Sequence, residues 1–212
     1  MKLEGLVKAM RKCTRNPELL VGVCQLGRYM WFRDDHFADL RETQRQFVLG
    51  DKRSVLFSTM PYEVNPKDKI HLMTEGYVLL GQQIGAQMID WERTGKVMSP
   101  GPVVQGAKFE GGARTRLVVR FTNAKGLQGK ASAEEWFITD TTHGGFKKGG
   151  FVEIANITID KDKEQVVIEL KSAPVGKTAV SYGYRSDVGG SLANGPGFPA
   201  ACFVGVAVVA GP

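Results

Sequence analysis

The chain has 212 residues, a mass of 23.2 kDa and a net charge of +6, from 28 Lys and Arg against 22 Asp and Glu. No apolar run reaches the roughly 18–20 residues of a membrane-spanning helix, so we expect no membrane span. The cations are scattered and no aromatic side chains alternate with them, so we expect a solvated surface and no nucleic-acid partner.

The first 95 residues alternate helical and strand patterns. Helical spacing of apolar residues covers 3–10, 35–48 and 77–91, and continuous apolar runs typical of strands cover 19–26 and 54–59. Such runs are typical of strands covered on both faces. The order α-β-α-β-α predicts a parallel sheet with helices on its faces.

The pattern changes at "TGKVMSPGPVV", where Pro100, Gly101 and Pro102 indicate a stiff linker. Beyond the linker, short alternating or β-branched segments are separated by turn clusters such as "NAKG" and "DKDK". They predict about seven or eight strands in an antiparallel β-sandwich. We therefore expect an α/β domain over 1–97 and an all-β domain over 98–212.

The cysteines are three in number and show no C-x-x-C spacing. We therefore expect buried thiols rather than a disulfide framework or a metal site, and we expect no metal and no cofactor. The first residues, "MKLEGLVKAMRKC", contain no apolar signal core because cations interrupt them, so no export signal is expected in this chain. The cellular location stays open.

The candidate catalytic residues lie in "NPKDKIHLMTEG", where Asp68 precedes His71 by three positions. A carboxylate beside an imidazole fixes its tautomer and stabilises the imidazolium that forms when histidine takes a proton from serine. The loop follows the strand predicted over 54–59, and reactive groups gather beyond the carboxyl ends of parallel strands. Alternatively, Asp68 caps the following helix and His71 lies in its first turn. The residues alone leave both interpretations open.

The same D-x-x-H spacing recurs in "DTTH", where Asp140 precedes His143 in the β-rich half. We interpret that second pair as a feature of a glycine-rich turn. Spacing alone therefore does not identify a catalytic pair. The sequence also contains no G-x-S-x-G nucleophile motif, and Ser54, Ser58 and Ser99 lie in no comparable turn.

Several stretches together resemble the second half of the catalytic domain of sialate O-acetylesterase-like proteins, of the SGNH (GDSL-type) hydrolase superfamily. The stretches are "VGVCQLGRY", "FADLRETQRQ" and "DKIHLMTEGYVLLGQQIGAQM". The motif residues are Gln25, then Leu40, Arg41, Glu42 and Gln44, and finally Asp68 with His71. The resemblance implies that Asp68 and His71 are the triad acid and base, and it makes Gln25 a candidate substrate-binding residue.

The β-rich half carries the same resemblance at "AVSYGYRSDVGGSLANGPGFPAACF". This stretch resembles the end of the family's accessory β domain, with Tyr184 in place of a tryptophan. The family's L-x-N-x-x-G-x-P-A turn is matched at Leu192, Asn194, Gly197, Pro199 and Ala200. The implied fold is a partial SGNH-type parallel sheet with flanking helices, followed by the antiparallel sandwich.

The family's nucleophilic serine and its oxyanion donors belong to blocks upstream of the region matched here. We therefore expect the C-terminal portion of a carbohydrate O-acetylesterase-like serine hydrolase, which needs an N-terminal piece for the serine and the oxyanion donors. The alternative is a non-catalytic structural or glycan-binding module, for example a phage virion or host-attachment component. The expected partners are a complementary esterase chain or other subunits of an assembly, and an O-acetylated carbohydrate. A free-standing enzyme that uses other residues is a third interpretation.

Overall fold

The structure is a computed structural model that describes residues 2–31, 35–96, 98–145 and 148–211. Within these ranges the first half contains three helices and a two-stranded parallel sheet. The helices are α1 (Lys2–Cys13), α2 (Asp35–Gly50) and α3 (Thr74–Thr94), and the strands are β1 (Val21–Gln25) and β2 (Ser54–Ser58). An α/β part followed by a β part is confirmed as the coarse architecture. None of the helices in the described ranges is long and apolar enough to cross a membrane.

The two faces of the β1–β2 sheet are covered unequally. On one face, Val23 and Leu56 pack against Phe47 and Val48 of α2 and against Val7 of α1. The opposite face carries Val55 and Phe57 of β2, which are buried under Leu80 and Ile84 of α3.

On the face that α3 covers, β1 is left open. Gly22 and Cys24 are paired in register with Val55 and Phe57, yet both residues are exposed. Helix α3 therefore covers the residues of β2 on this face and leaves those of β1 exposed.

Side chains satisfy part of the backbone along both outer edges of the parallel pair. The Gln44 carboxamide of α2 accepts from the Leu26 N–H at 2.9 Å and donates to the Cys24 carbonyl at 3.1 Å. Along β2, the Leu56 N–H donates to Ser99 Oγ at 3.0 Å. An unpaired strand edge invites pairing with another chain, and these bonds reduce that tendency.

The β part is one seven-stranded sheet in the order β5-β8-β9-β3-β4-β7-β6. Its strands are β3 (Val103–Glu110), β4 (Arg116–Thr122), β5 (Trp136–Thr139), β6 (Ile154–Asp160), β7 (Gln165–Leu170), β8 (Ala179–Tyr182) and β9 (Phe203–Val209). The pairs are antiparallel except β3 and β9, which run parallel, so the sheet is mixed rather than antiparallel throughout.

The sheet curls around its core. The Trp136 ring of β5 lies edge-on to the Phe121 ring of β4, with centroids 6.4 Å apart, although three strands separate β5 from β4 in the sheet order. Just before β6, the Val152 N–H donates to the Ile138 carbonyl of β5 at 2.8 Å, so the two ends of the sheet meet. The enclosed apolar core includes Phe109, Leu117, Ile168 and Phe203.

The segment of strand β3 carries a weak strand signal in the sequence. Its segment follows the Pro-Gly-Pro linker directly, and Gly106 interrupts its apolar pattern. The register with β4 shifts between Val104 and Gly106, which marks a bulge. A bulge disturbs the period-two alternation on which strand prediction depends.

The expectation of three buried thiols is wrong for two of the cysteines. Cys13 and Cys24 are exposed, and Cys202 is buried. Cys13 lies at the end of α1, and Cys24 lies on the uncovered face of β1. An apolar run predicts burial on both faces, but here the second face of β1 has no covering element among the described residues.

The Arg41 guanidinium joins α2 to both parts of the chain. Arg41 is 0% exposed. It donates to Leu26 and Gly27, which follow β1, and to Gly183 and Arg185, which follow β8. Among the described residues it bonds to these four carbonyls and to no carboxylate, and burial lowers the pKa of Arg41.

The carboxamide of Gln25 makes a second connection. Its Oε1 accepts from the Cys202 N–H at 2.8 Å, and its Nε2 donates to the Cys202 carbonyl at 2.9 Å and to the Arg41 carbonyl at 3.1 Å. Gly183 lies against Cys202 and has a φ of +65°. A Cβ atom added at Gly183 would lie 2.4 Å from Cys202 Sγ. A side chain at Gly183 has no room there.

We expect Arg41→Met to lower the free energy of unfolding by about 3 kcal/mol, because four buried or partly buried hydrogen bonds to backbone carbonyls are lost. Chemical denaturation at pH 7 measures the change. Arg93→Met is the matched control: the Arg93 side chain is 76% exposed, so a change within about 0.5 kcal/mol is expected. Equal losses for the two variants would show that Arg41 does not join the parts.

Candidate functional site

Asp68 and His71 lie in a closed turn between β2 and α3. The Asn65 N–H donates to the His71 carbonyl, and the Lys69 N–H donates to the Asn65 carbonyl, both at 2.7 Å. Lys69 has a positive φ of 58°, which tightens the turn. A bridge between Val64 and Leu72 closes its base. The backbone of the turn is therefore held by its own hydrogen bonds.

Within this turn the two side chains form a dyad. His71 Nδ1 lies 3.3 Å from Asp68 Oδ2. Asp68 Oδ1 accepts from the Ile70 N–H at 3.1 Å and from the His71 N–H at 3.0 Å. These two backbone bonds, and then the imidazole, hold the pKa of Asp68 below its usual value. The His71 side chain is 71% exposed, and Nε2 has no hydrogen bond to a described residue. The dyad has the arrangement of a base whose second nitrogen is available to a substrate or partner.

The helix-capping interpretation of Asp68 is wrong. Helix α3 begins at Thr74, its N-cap residue is Met73, and no side chain caps it. Asp68 instead accepts the N–H groups of its own turn, two and three residues further on. Asp commonly stabilises turns in this way, which is a local explanation for the carboxylate.

The Asp140–His143 pair repeats the same local geometry. Asp140 Oδ1 accepts from the His143 N–H at 2.7 Å and lies 3.0 Å from His143 Nδ1. Its Oδ2 accepts from the Val175 N–H at 2.7 Å. Burial opposes ionisation, but the bonds from Val175, His143 and Thr142 hold the pKa of Asp140 far below its usual value. The Asp140 side chain is 1% exposed, against 41% for Asp68. The turn alone therefore accounts for D-x-x-H in both places, and exposure distinguishes the pairs.

Gln25, the predicted substrate-binding residue, lies apart from the dyad in its contacts. It is 0% exposed, and its carboxamide bonds to the backbone of Cys202 and Arg41. No hydrogen bond or ion pair in the described part of the chain joins Gln25 to Asp68 or His71. Its role in substrate binding stays a prediction.

Sequence reasoning missed Trp31, which lies beside the dyad. The Trp31 indole Nε1 donates to the Asp68 carbonyl at 2.8 Å, and Lys69 Nζ lies 4.8 Å from the ring centroid. The residue is 54% exposed. The available signal is the stretch "GRYMW", which places exposed apolar and aromatic residues directly after β1.

None of the three serines that the sequence analysis named is positioned as a nucleophile. Ser54 and Ser58 are buried at the two ends of β2, and Ser99 Oγ accepts from the Leu56 N–H. No serine in the described ranges bonds to His71. The same ranges contain no group of three or more His, Cys, Asp or Glu side chains that could hold a metal ion.

Comparison with known proteins assigns no family. No family model matches the chain, and no curated protein matches it. Among solved structures, the N-terminal part of the bacterial S-layer protein SbsC is similar at a TM-score of 0.38 and 12% identity. The match covers 65% of this chain and 28% of the S-layer chain.

We expect Asp140→Asn to lower the free energy of unfolding by about 1–3 kcal/mol, because a buried carboxylate loses charge-assisted bonds. Asp68→Asn, at an exposed site, is the matched control and should change it by under about 1 kcal/mol. Urea denaturation at pH 7 measures both. A larger loss for Asp68→Asn would contradict this ranking.

The loss of unfolding free energy caused by Asp140→Asn should also depend on pH. Because the pKa of Asp140 in the folded protein lies below the ordinary 3.8, its stabilisation is present above that value and is lost as pH falls. The difference in the free energy of unfolding between wild type and Asp140→Asn should therefore become smaller below about pH 4. If this difference in free energy grew on acidification, the pKa of Asp140 in the folded protein would lie above its ordinary value.

Proposed function

We propose that this chain provides the acid–base half of an SGNH-type esterase acting on O-acetylated carbohydrate. The serine and the oxyanion donors then come from a segment or chain outside these 212 residues. The observation that carries the proposal is the exposed His71 imidazole, with Nδ1 held by Asp68 and Nε2 unbonded among the described residues. A buried histidine with both nitrogens used would not support it.

The chemistry follows from that geometry. A serine hydroxyl placed within about 2.6–3.2 Å of Nε2 gives its proton to His71 as its oxygen attacks the acetyl carbonyl. Asp68 stabilises the resulting imidazolium through Nδ1. His71 then returns the proton to the departing sugar oxygen, and water releases acetate in the second half of the cycle by the same route. The oxyanion donors contribute much of the rate and must come with the serine.

The fold proposal follows the same division. We infer that β1 and β2 belong to a larger SGNH-type parallel sheet, and that an incoming element covers the exposed Gly22 and Cys24. The curled sheet is proposed as an accessory β-sandwich whose layers share β9. The proposed domains remain 1–97 and 98–212, and Val97 at their boundary lies outside the described residues.

A second candidate is a non-catalytic structural or glycan-binding module of the same fold, such as a virion component. The repeated D-x-x-H turn favours it, because Asp140 forms the same local bonds with its own side chain buried, as a turn-stabilising residue does. In that case Asp68 stabilises its turn and His71 takes no part in catalysis.

We expect the purified chain alone to hydrolyse neither p-nitrophenyl acetate nor an O-acetylated sialoside above background, because no serine bonds to His71 in the described ranges. Activity should appear when a serine-bearing complementary piece is added. His71→Ala should then reduce kcat/KM by at least about 1000-fold.

His143→Ala is the matched control, since it removes the histidine of the equivalent turn and should leave that activity unchanged. Turnover by the chain alone that His71→Ala abolishes would contradict the split arrangement. Complete inactivity in the presence of every complementary piece that binds would favour the structural module.

We also expect a bound partner to protect Cys24 from a thiol reagent while Cys13 stays reactive. Both thiols are exposed in this chain, but Cys24 lies on the uncovered face of β1. Partial desolvation raises the pKa of Cys24, so its labelling should be slower than that of an ordinary thiol at pH 7. Mass spectrometry after brief labelling measures each site. Equal protection of the two cysteines would place the partner elsewhere.

A further inference from the structure

Helix α3 exposes an apolar face, which we call its outer face. Tyr77, Val78, Met88 and Ile89 are exposed, Ile89 to 68%. At about 100° per residue, these four side chains fall within about 120° of one another around the helix. Elsewhere around its circumference α3 packs on β2 and faces the linker. Large apolar side chains that are exposed together commonly mark a surface that binds another molecule.

Two glycines lie in the middle of the outer face. A Cβ added at Gly81 or Gly85 would meet no heavy atom within 4 Å beyond the neighbouring backbone of the helix. Glycine destabilises a helix interior relative to alanine, and packing within the chain gives no reason for it at these positions. Gly76 differs, because a Cβ there would lie 3.2 Å from the Tyr62 side chain. Gly81 and Gly85 therefore leave room for the close approach of another backbone.

The outer face is symmetric along the sequence about position 83. Its residues form three pairs that are equidistant from that position: Tyr77 with Ile89, Val78 with Met88, and Gly81 with Gly85. A second α3, antiparallel to the first across a twofold axis at position 83, places each residue opposite the other member of its pair. Large apolar side chains then meet at both ends of the face, and glycine meets glycine at its centre.

The charges at the edge of the outer face fit the same arrangement. Glu75 in the first turn and Arg93 in the last turn lie on the same side of α3, 18 positions or about five turns apart. In the antiparallel pair, Glu75 of each copy lies within about 3 Å, along the helix axis, of Arg93 of the other copy. Glu92 lies opposite Thr74, so its carboxylate approaches the N-terminus of the other helix, which no side chain caps.

We propose that α3 is the interface of a twofold-symmetric homodimer, in which the outer faces of two antiparallel α3 helices pack together at Gly81 and Gly85. The inference does not rest on the proposed esterase function. One pair of helices forms a smaller contact than a standard interface of about 800 Å² per partner, so we expect a dissociation constant in the micromolar range.

Other occupants fit the outer face less well. A helix that binds an anionic membrane surface carries Lys and Arg beside its apolar face. Helix α3 instead carries Glu75, Asp90 and Glu92 against the single cation Arg93. An unrelated partner protein gives no reason for the symmetry about position 83. A second copy of the chain accounts for that symmetry and for the charges.

The test is sedimentation velocity of the whole chain from about 1 to 500 µM, a range that brackets a micromolar dissociation constant. A reducing buffer prevents disulfides between the exposed Cys13 and Cys24 thiols. We expect a monomer–dimer equilibrium. Gly85→Gln should weaken it at least about tenfold, because the new side chain occurs twice at the centre of the interface and holds the helices apart. Gly5→Gln is the matched control, since Gly5 is an exposed glycine of α1 with the same open space, and it should leave the dissociation constant unchanged.

The thermal midpoint of dilute protein separates loss of the dimer from loss of the fold. Gly85→Gln should keep or raise the midpoint, because glutamine favours a helix and has room at this position. A clear fall would assign Gly85 a role within its own chain and would overturn the proposal. So would a chain that stays monomeric up to about 500 µM, or a dimer that Gly85→Gln leaves unchanged.

Charge reversal tests the antiparallel arrangement. Glu75→Lys and Arg93→Glu should each weaken the dimer about threefold, and the double variant should restore it, because the two charges then attract again across the interface. A double variant as weak as the single ones would contradict the antiparallel pair. The dimer needs neither a serine-bearing piece nor an ester substrate, so its failure and the failure of the esterase proposal are distinguishable.

Discussion

The buried guanidinium of Arg41 is the interaction on which the arrangement of the chain depends. A cation removed from water needs hydrogen-bond acceptors for its donors, and here four backbone carbonyls from two separate regions accept four of the five guanidinium N–H groups. Two follow β1 and two follow β8, so one side chain holds the ends of both parts around α2. The burial is costly, and the cost makes any other relative placement of these carbonyls unfavourable.

The neighbours of Arg41 along α2 extend the same connection. Glu42 Oε2 accepts from the Val204 N–H of β9 at 3.0 Å, while Gln44 bonds to the edge of β1. The residues that carry the resemblance to an esterase family thus make backbone contacts within this chain. In the β part, Asn194 does the same for the linker. Both proposed functions need this framework, so these residues do not distinguish between them.

What distinguishes the two functions is the surface around His71 and β1. Two turns with the same D-x-x-H spacing differ in exposure, which is a property of the surrounding chain and not of the motif. The uncovered Gly22 and Cys24 lie on a face whose β2 half is buried. Both proposals place an incoming element on this face, and they differ in whether that element carries the catalytic serine.

The sequence by itself determined the elements whose cause is local. Periodicity predicts α1, α2, α3, β1 and β2, because apolar spacing and burial on one side are properties of short segments.

Tertiary structure decided the rest. Parallel pairing of β3 with β9 joins residues about a hundred positions apart, and no local pattern contains that information. The sequence placed Gln25 on a strand, but its buried bonds depend on Cys202 from the far end of the chain. Gln87 is one helical glutamine among several in the sequence, and its burial arises only because distant segments pack against α3.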